Sequence, residues 1–173
     1  MKVLALSGSL RTRSTNTALL EAAAELAPDS MEIRLFEGLA LLPHFNPDLE
    51  HEMNPAVEAW RSALRNCSGL IISTPEYAHG IPGALKNALD WVVGSGETVD
   101  LPIALFNASI RSRYAIESLK EILRTMAGRI VPEACIALPL LGKNPSVNEI
   151  VTDPSLAASI RTALELFKAA ITK

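Results

Sequence analysis

Hydrophobic residues fall into two patterns that alternate along the chain. Short continuous apolar runs are typical of strands that are buried on both faces of a sheet. Longer stretches place apolar residues three and four positions apart, which predicts helices that pack one face on that sheet. The predicted strands are residues 3–6, 31–36, 69–73, 101–106 and, interrupted, 130–138, and the predicted helices begin near residues 17, 54, 82, 112 and 153.

Residues that favour helix starts support this division. Asn54-Pro55 and Asp153-Pro154 each place a capping side chain before a proline at the first helical position. Only the long connection over residues 37–53, which contains prolines, has no regular pattern.

Five strand–helix units in succession predict one α/β domain over residues 1–173, with a five-stranded parallel sheet between two layers of helices. The expected strand order is 2-1-3-4-5. In such sheets, ligands bind at the carboxyl ends of the strands, at the point where the strand order reverses. Three segments are therefore candidates for binding: loop 1 (residues 7–17), loop 2 (residues 74–83) and loop 3 (residues 107–111).

Composition and charge exclude several classes of function. With 173 residues, of which 49% are hydrophobic, the chain has the length of one domain and is not disordered. The formal net charge of −3 and the pI of 5.6 argue against binding to nucleic acid, which needs a basic surface. A strongly acidic electron carrier is disfavoured for the same reason, and an aromatic content of 5% argues against a sugar or peptide groove.

The cysteines and histidines show no metal or disulfide pattern. Cys67 and Cys135 are far apart, and His44, His51 and His79 lack metal-ligand spacing, so we expect no metal and two reduced thiols. The N-terminal apolar run is too short for a signal sequence, and no stretch approaches the ~18–20 apolar residues of a membrane span. These patterns predict a soluble, cytoplasmic protein without membrane partners.

Loop 1 has the composition of a phosphate site. It reads SGSLRTRSTNT, with six hydroxyl side chains, one amide and two arginines, and the first acidic residue of the chain is Glu21. At the start of a helix, free backbone N–H groups and the positive end of the helix dipole add to these donors. Ordinary capping by Ser14 or Thr15 would explain only one or two of them. Because G-x-x-x-x-G-K-[ST] and G-x-G-x-x-G are absent, a monophosphate held by side chains fits better than ATP, GTP or a dinucleotide.

Loops 2 and 3 follow the neighbouring strands of the predicted sheet. Loop 2 reads TPEYAHGIPG, in which prolines and glycines stiffen or bend the backbone around one aromatic ring, Tyr77. Such a loop suits a flat heterocycle, although an ordinary strand–helix connection uses similar turn residues. Loop 3 reads NASIR and is small and polar. His79, a lone loop histidine, is not expected to be catalytic, and a Ser-His-Asp hydrolase lacks its G-x-S-x-G motif.

Two motifs carry a family resemblance. The first is GSLRTRSTN at residues 8–16, which resembles the G-S-x-R-x-x-S-x-N motif of the NAD(P)H-dependent FMN reductase family. The second is PEYAHGIPGALKNALDW at residues 75–91, which is similar to that family's P-E-Y-N-x-S-x-P-G-x-L-K-N-A-[IL]-D-W signature. The motif residues expected to orient the third helix or to form an interface are Lys86, Asn87, Asp90 and Trp91.

The resemblance implies a flavodoxin-like three-layer α/β/α sandwich that binds FMN, as a homodimer or homotetramer with the flavin near a subunit interface. It implies that loop 1 holds the phosphate, that loop 2 holds the edge of the flavin ring and that loop 3 flanks the ring. The implied cofactor-binding residues are Ser9, Arg11, Ser14, Thr15, Asn16, Pro75, Glu76, Tyr77, Ala78, Asn107 and Ser109.

The chain departs from the family pattern within each loop. Arg13 stands where relatives often have a small residue, which adds charge near the phosphate. Ala78 and Gly80 replace an asparagine and a serine, and loop 3 replaces a glycine-rich T-G-G-type loop. These departures bear on the electron acceptor more than on the fold.

The resemblance further implies an enzyme, an NAD(P)H-dependent FMN reductase or quinone reductase. Hydride would pass from NADPH or NADH through FMN to a small acceptor such as a quinone, an azo compound, free flavin or a metal oxyanion. The flavin carries this chemistry, so no side chain is expected to be catalytic. The alternatives are a non-enzymatic flavodoxin-type electron carrier and a flavin-binding sensor module, although the flavodoxin loop T-x-[ST]-G-[NS]-T is absent.

Overall fold

The apolar runs of the sequence form the strands of a parallel sheet in the computed structural model, which describes all residues from 1 to 173. Aliphatic and β-branched side chains favour strands of this kind, which are buried on both faces. The strands are β1 (Lys2–Ser7), β2 (Glu32–Leu35), β3 (Gly69–Ser73), β4 (Pro102–Asn107), β5 (Arg129–Ile130) and β6 (Ile136–Ala137).

Helices lie between the strands, and most begin after a side chain that accepts hydrogen bonds from the first turn. The helices are α1 (Thr15–Glu25), α2 (Pro55–Arg65), α3 (Gly83–Asp90), α4 (Tyr114–Thr125), α5 (Val147–Thr152) and α6 (Pro154–Ile171), with 3₁₀ turns at Gly38–Leu41, Pro47–Leu49 and Pro132–Ala134. Ser14, Asn54 and Asp153 cap α1, α2 and α6 in this way. None of the helices combines the length and the apolar character that a membrane crossing requires.

The strand order of the sheet is β2-β1-β3-β4-β5, which confirms the order predicted from the sequence. All paired strands are parallel, and β6 pairs with the end of β4, just beyond β5. The interrupted run over residues 130–138 is therefore two short strands on one side of β4. Ser7 pairs with Ser73 in the register of β1 and β3, so loops 1 and 2 leave the sheet side by side.

The two faces of the sheet pack into separate hydrophobic cores. Ala5 and Phe106 belong to the core that contains residues of α1 and α6. Leu6 and Leu105, each one position away, belong to the core that contains residues of α2, α3 and α4. Because successive side chains of a strand point to opposite faces, this alternation requires helices on both sides. The three-layer α/β/α architecture of a flavodoxin-like fold is confirmed.

Several helix ends differ from the sequence expectation. The first helix begins at Thr15, two positions before the expected start, because Ser14 supplies the cap. Pro82 does not begin α3 but precedes it, with an extended ψ of 142°. The fourth helix is shorter at both ends than the expected 112–127, and α5 was not predicted.

The second motif fastens the irregular connection over residues 37–53 to α3. Asn87 Oδ1 accepts a hydrogen bond from the Phe45 backbone N–H at 2.7 Å. Asn87 Nδ2 and Trp91 Nε1 both donate to the Pro43 carbonyl, at 2.9 and 2.7 Å. Lys86 Nζ and Asp90 Oδ1 form an ion pair at 2.5 Å along α3. Asn87 and Trp91 therefore hold the helix in place, whereas Lys86 and Asp90 pair only within it.

Candidate functional site

Loops 1, 2 and 3 meet at the carboxyl edge of the sheet, as expected for loops that follow the adjacent strands β1, β3 and β4. They enclose a cleft of about 270 Å³. All but one of the implied cofactor-binding residues line this cleft: Ser9, Arg11, Ser14, Thr15, Asn16, Pro75, Glu76, Tyr77, Asn107 and Ser109. The exception is Ala78, which does not line it.

Gly8 allows loop 1 to pass close to β3. A Cβ atom at this position would lie 2.9 Å from Thr74 Cβ, closer still to Thr74 Oγ1, and 3.1 Å from Leu85 Cδ2. The Gly8 N–H donates to the Ser73 carbonyl at 2.8 Å, so the backbone cannot move away without losing this bond. The first glycine of the motif is therefore required by packing.

The polar side chains of loop 1 form hydrogen bonds that shape the start of α1. Ser14 Oγ accepts from the Thr17 N–H at 3.3 Å, which is the capping interaction weighed as an alternative. Asn16 Oδ1 accepts from Ser73 Oγ at 2.9 Å in a buried contact between α1 and β3. A capping hydroxyl can still donate its own proton, and an asparagine that accepts through oxygen keeps its amide donors. Ser14 and Asn16 therefore retain donors for a ligand.

Two arginines line the cleft without carboxylate partners, and two more lie close to them in sequence. Arg11 and Arg111 line it, and Arg13 and Arg113 are exposed nearby on the chain. None of the four has a carboxylate oxygen within 4.0 Å, whereas Arg34, Arg61, Arg65 and Arg124 each have at least one. The guanidinium groups at the cleft are thus free to bind an anion.

Loop 2 contains a tight two-residue turn. The N–H groups of Tyr77 and Gly80 donate to each other's carbonyls at 3.0 and 2.9 Å. The two central residues, Ala78 and His79, have φ values of 48° and 59°, as in the type I′ turns that normally prefer asparagine and glycine. This turn puts Ala78 at the tip of the loop and leaves Tyr77 exposed at the cleft.

Two contacts hold loop 2 against the start of α4. Glu76 Oε2 accepts a hydrogen bond from the Ala115 N–H at 2.9 Å, where the helix dipole favours a negative charge. The His79 ring stacks on the Tyr114 ring with centroids 4.1 Å apart and an interplanar angle of 27°. Neither contact was predicted, because each joins positions that are far apart in sequence. Glu76 thus lies in the cleft with one carboxylate oxygen already bound.

Buried side chains shape loop 3. Asn107 Oδ1 accepts from the Ser109 N–H at 2.9 Å, and Asn107 Nδ2 donates to the Ser112 carbonyl at 3.2 Å. Ser109 Oγ accepts from the Arg111 N–H at 3.1 Å, and both Asn107 and Ser109 are less than a tenth exposed. Asn107 therefore fixes the turn, while the Ser109 hydroxyl retains a proton to donate.

A fourth segment, which was not predicted from the sequence, also borders the cleft. Leu141 and Asn144 line it from the stretch between β6 and α5. Thr15 Oγ1 donates to Asn144 Oδ1 at 3.3 Å, which connects this segment to loop 1. The stretch is brought there by the pairing of β6 with β4, which has no local signature. The S-x-x-E sequence from Ser146 to Glu149 could have predicted the start of α5, because it forms the capping box of that helix.

Neither cysteine of the chain lines the cleft. Burial raises the pKa of the Cys67 and Cys135 thiols, so neither is a reactive thiolate near neutral pH. The backbone N–H and hydroxyl of Ser146 hold the pKa of Glu149 below its usual range. The cleft itself offers hydrogen-bond donors and arginine charge, which suit binding of an anionic group.

Comparison with known proteins identifies similar sequences and folds. A family model described as NADPH-dependent FMN reductase matches residues 1–140. A quinone reductase of Escherichia coli K12 is 39% identical over 94 residues, which cover 53% of this chain and 50% of that protein. The NAD(P)H-dependent FMN reductase PA1204 of Pseudomonas aeruginosa is 42% identical over 92 residues, 53% of this chain and 49% of that protein. The match thus spans about half the length of these curated relatives.

A solved structure matches the whole chain in fold. The flavoenzyme NAD(P)H:(acceptor) oxidoreductase FerB from Paracoccus denitrificans superposes with a TM-score of 0.75 and 24% sequence identity. The superposition covers 98% of this chain and 98% of that one. At this identity the likeness supports the fold.

Proposed function

We propose that this chain, which belongs to the NADPH-dependent FMN reductase family, is an FMN-dependent oxidoreductase that transfers hydride from NADPH or NADH to a small acceptor. The observation that carries the proposal is the convergence of three motif loops on one cleft at the strand-order reversal. Such a crevice is where this type of sheet binds its cofactor.

The donor set of the cleft fits the phosphate of FMN. Loop 1 offers the hydroxyls of Ser9, Ser14 and Thr15, the Asn16 amide and the Arg11 guanidinium at the N-terminus of α1. A helix N-terminus with charge-assisted donors is a favourable site for a phosphate. We assign the phosphate to this end of the cleft.

Loops 2 and 3 would hold and orient the flavin ring. The tight turn from Tyr77 to Gly80 and the Asn107 hydrogen bonds fix the backbone of both loops before any ligand binds. Bound FMN would supply the hydride chemistry. The chain's own contribution is binding, orientation and preorganised N–H and O–H donors, so no catalytic side chain is needed.

We further propose a quinone as the acceptor and a homodimer or homotetramer as the assembly. Curated relatives named as quinone reductases support the acceptor. Exposed apolar side chains near the mouth of the cleft support the assembly, because such side chains are often covered by a partner. They are Tyr77, Ile110, Tyr114 and Leu141.

The two free thiols support a reducing, cytoplasmic location.

The test is steady-state consumption of NADPH by the FMN-loaded protein in the presence of a simple benzoquinone. An enzyme converts many equivalents of NADPH per protein molecule and needs both FMN and quinone to do so. A flavodoxin-type carrier or a flavin-binding sensor would bind FMN but show no sustained turnover. Negligible turnover with NADPH and with NADH across quinone, azo and flavin acceptors would reject the proposal.

A further inference from the structure

A second cavity continues from the cleft along the outer side of loop 1. This polar groove has a volume of about 660 Å³ and runs between loop 1 with the first turns of α1 on one side and residues 144–149 on the other. Arg11, Ser14, Thr15 and Asn144 line both the groove and the cleft. The groove therefore adjoins the cleft at the end assigned to the FMN phosphate.

The lining of the groove is hydrophilic. Besides the shared residues, Thr12, Thr17 and Ser146 line it. This surface does not suit an apolar acceptor such as a quinone, which needs apolar walls. It suits a ligand with ribose hydroxyls and phosphates, because hydroxyl and guanidinium groups bond to both.

The charges of the groove leave one arginine available. Arg13 lines the groove but not the cleft, and it has no carboxylate within 4.0 Å. Two carboxylates also line the groove: Glu149, which accepts from the Ser146 N–H and hydroxyl at 2.7 Å each, and Glu21. FMN carries a single phosphate, which the proposed function assigns to Arg11 and its neighbours at the cleft. Arg13 is therefore free to bind a second phosphate.

The far wall of the groove lies beyond the region that the family model matches. Asn144 and Ser146 line the groove, whereas the match ends at residue 140. Arg13 also departs from the usual small residue of the family motif. One wall of the groove therefore lies outside the matched region.

From these features we infer that the polar groove binds the phosphorylated adenosine end of the nucleotide donor, and that Arg13 contacts the 2′-phosphate that distinguishes NADPH from NADH. The inference rests on the proposed function, because it assigns a subsite to that reaction's donor. A contact between Arg13 and the 2′-phosphate would make this chain bind NADPH more tightly than NADH.

Titration of the purified FMN-loaded protein with 2′,5′-ADP and with 5′-AMP tests the subsite without any turnover. We expect 2′,5′-ADP to bind at least about 10-fold more tightly than 5′-AMP, because a charge-assisted contact to the 2′-phosphate is added. Arg13→Ala should abolish this difference, and Arg13→Lys should restore part of it. Arg124→Ala is the matched control, since Arg124 is exposed on α4 and pairs with Glu121 away from the groove.

A second readout compares the two donors. In Arg13→Ala, KM for NADPH should rise by about 10-fold while KM for NADH and the FMN content stay unchanged. Equal affinity for the two probes, or a 2′-phosphate preference that survives Arg13→Ala or is lost instead in Arg111→Ala, would overturn the inference. In each of these cases the wild-type protein would still bind FMN and turn over NADH, whereas the absence of both in the wild-type protein would refute the proposed function itself.

Discussion

Arg11 is the charged side chain that lines both the cleft and the polar groove. If it binds the FMN phosphate, Arg11→Ala should weaken FMN binding by about 10-fold or more, because a charge-assisted contact is removed. The measurement is quenching of flavin fluorescence on titration of the flavin-free protein. Arg124→Ala should bind FMN like the wild type, and unchanged affinity in Arg11→Ala would refute the assignment of the phosphate to loop 1.

Gly8 gives a prediction about stability. Gly8→Ala should destabilise the fold by about 1–3 kcal/mol, because the new methyl group overlaps Thr74 and contacts Leu85. Gly83→Ala is the control, since nothing lies within 4 Å of a Cβ atom built there. Urea unfolding of both variants measures the difference. Equal midpoints for Gly8→Ala and the wild type would show that loop 1 can move away from β3.

Single residues also show the limit of sequence reasoning. The positions of Ser9, Pro75 and Asn107, each just after a predicted strand, sufficed to place them in one cleft, because parallel strands bring their loops to one edge. The bond from Ala115 to Glu76 and the stacking of His79 on Tyr114 depend on where α4 lies relative to loop 2. No local pattern encodes that distance, so these partners emerge only from the structure.

At the level of elements, the sequence predicted strands and helices correctly where the apolar residues follow a clear period or a capping residue marks a helix start. It failed where no such period is present. β3 at Gly69–Ser73 matches its predicted range, and α2 and α6 begin where Asn54-Pro55 and Asp153-Pro154 indicate. The connection over residues 37–53 has no period of its own, because α3 fixes it through Asn87 and Trp91. Its path therefore depends on tertiary contacts.

Because of its capping box, the stability of α5 should depend on pH. Hydrogen bonds from Ser146 lower the pKa of Glu149 in the folded state, so this stabilisation is present above the pKa of the unfolded chain. It is lost as pH falls through the lowered folded pKa, and α5 should fray in acid. NMR titration of Glu149 should show a higher pKa in Ser146→Ala, because the hydroxyl bond is removed. An identical titration in the variant would contradict this role of the capping box.

At the scale of the whole molecule, the strand order explains why the candidate site forms. β1 lies between β2 and β3, so the chain turns to opposite sides of the sheet after β1 and after β3 and leaves a crevice between their loops. This topology was predictable from five alternating units. The wall formed by Leu141 and Asn144 was not, because it requires the pairing of β6 with β4.

The most direct measurement of FMN-dependent hydride transfer is the visible spectrum of the purified protein, loaded with FMN and recorded without oxygen before and after NADPH is added. We predict a flavin absorption band that bleaches on addition of NADPH and returns when a quinone is supplied. A protein that binds no flavin, or a bound flavin whose band neither NADPH nor NADH bleaches, would contradict the proposed function.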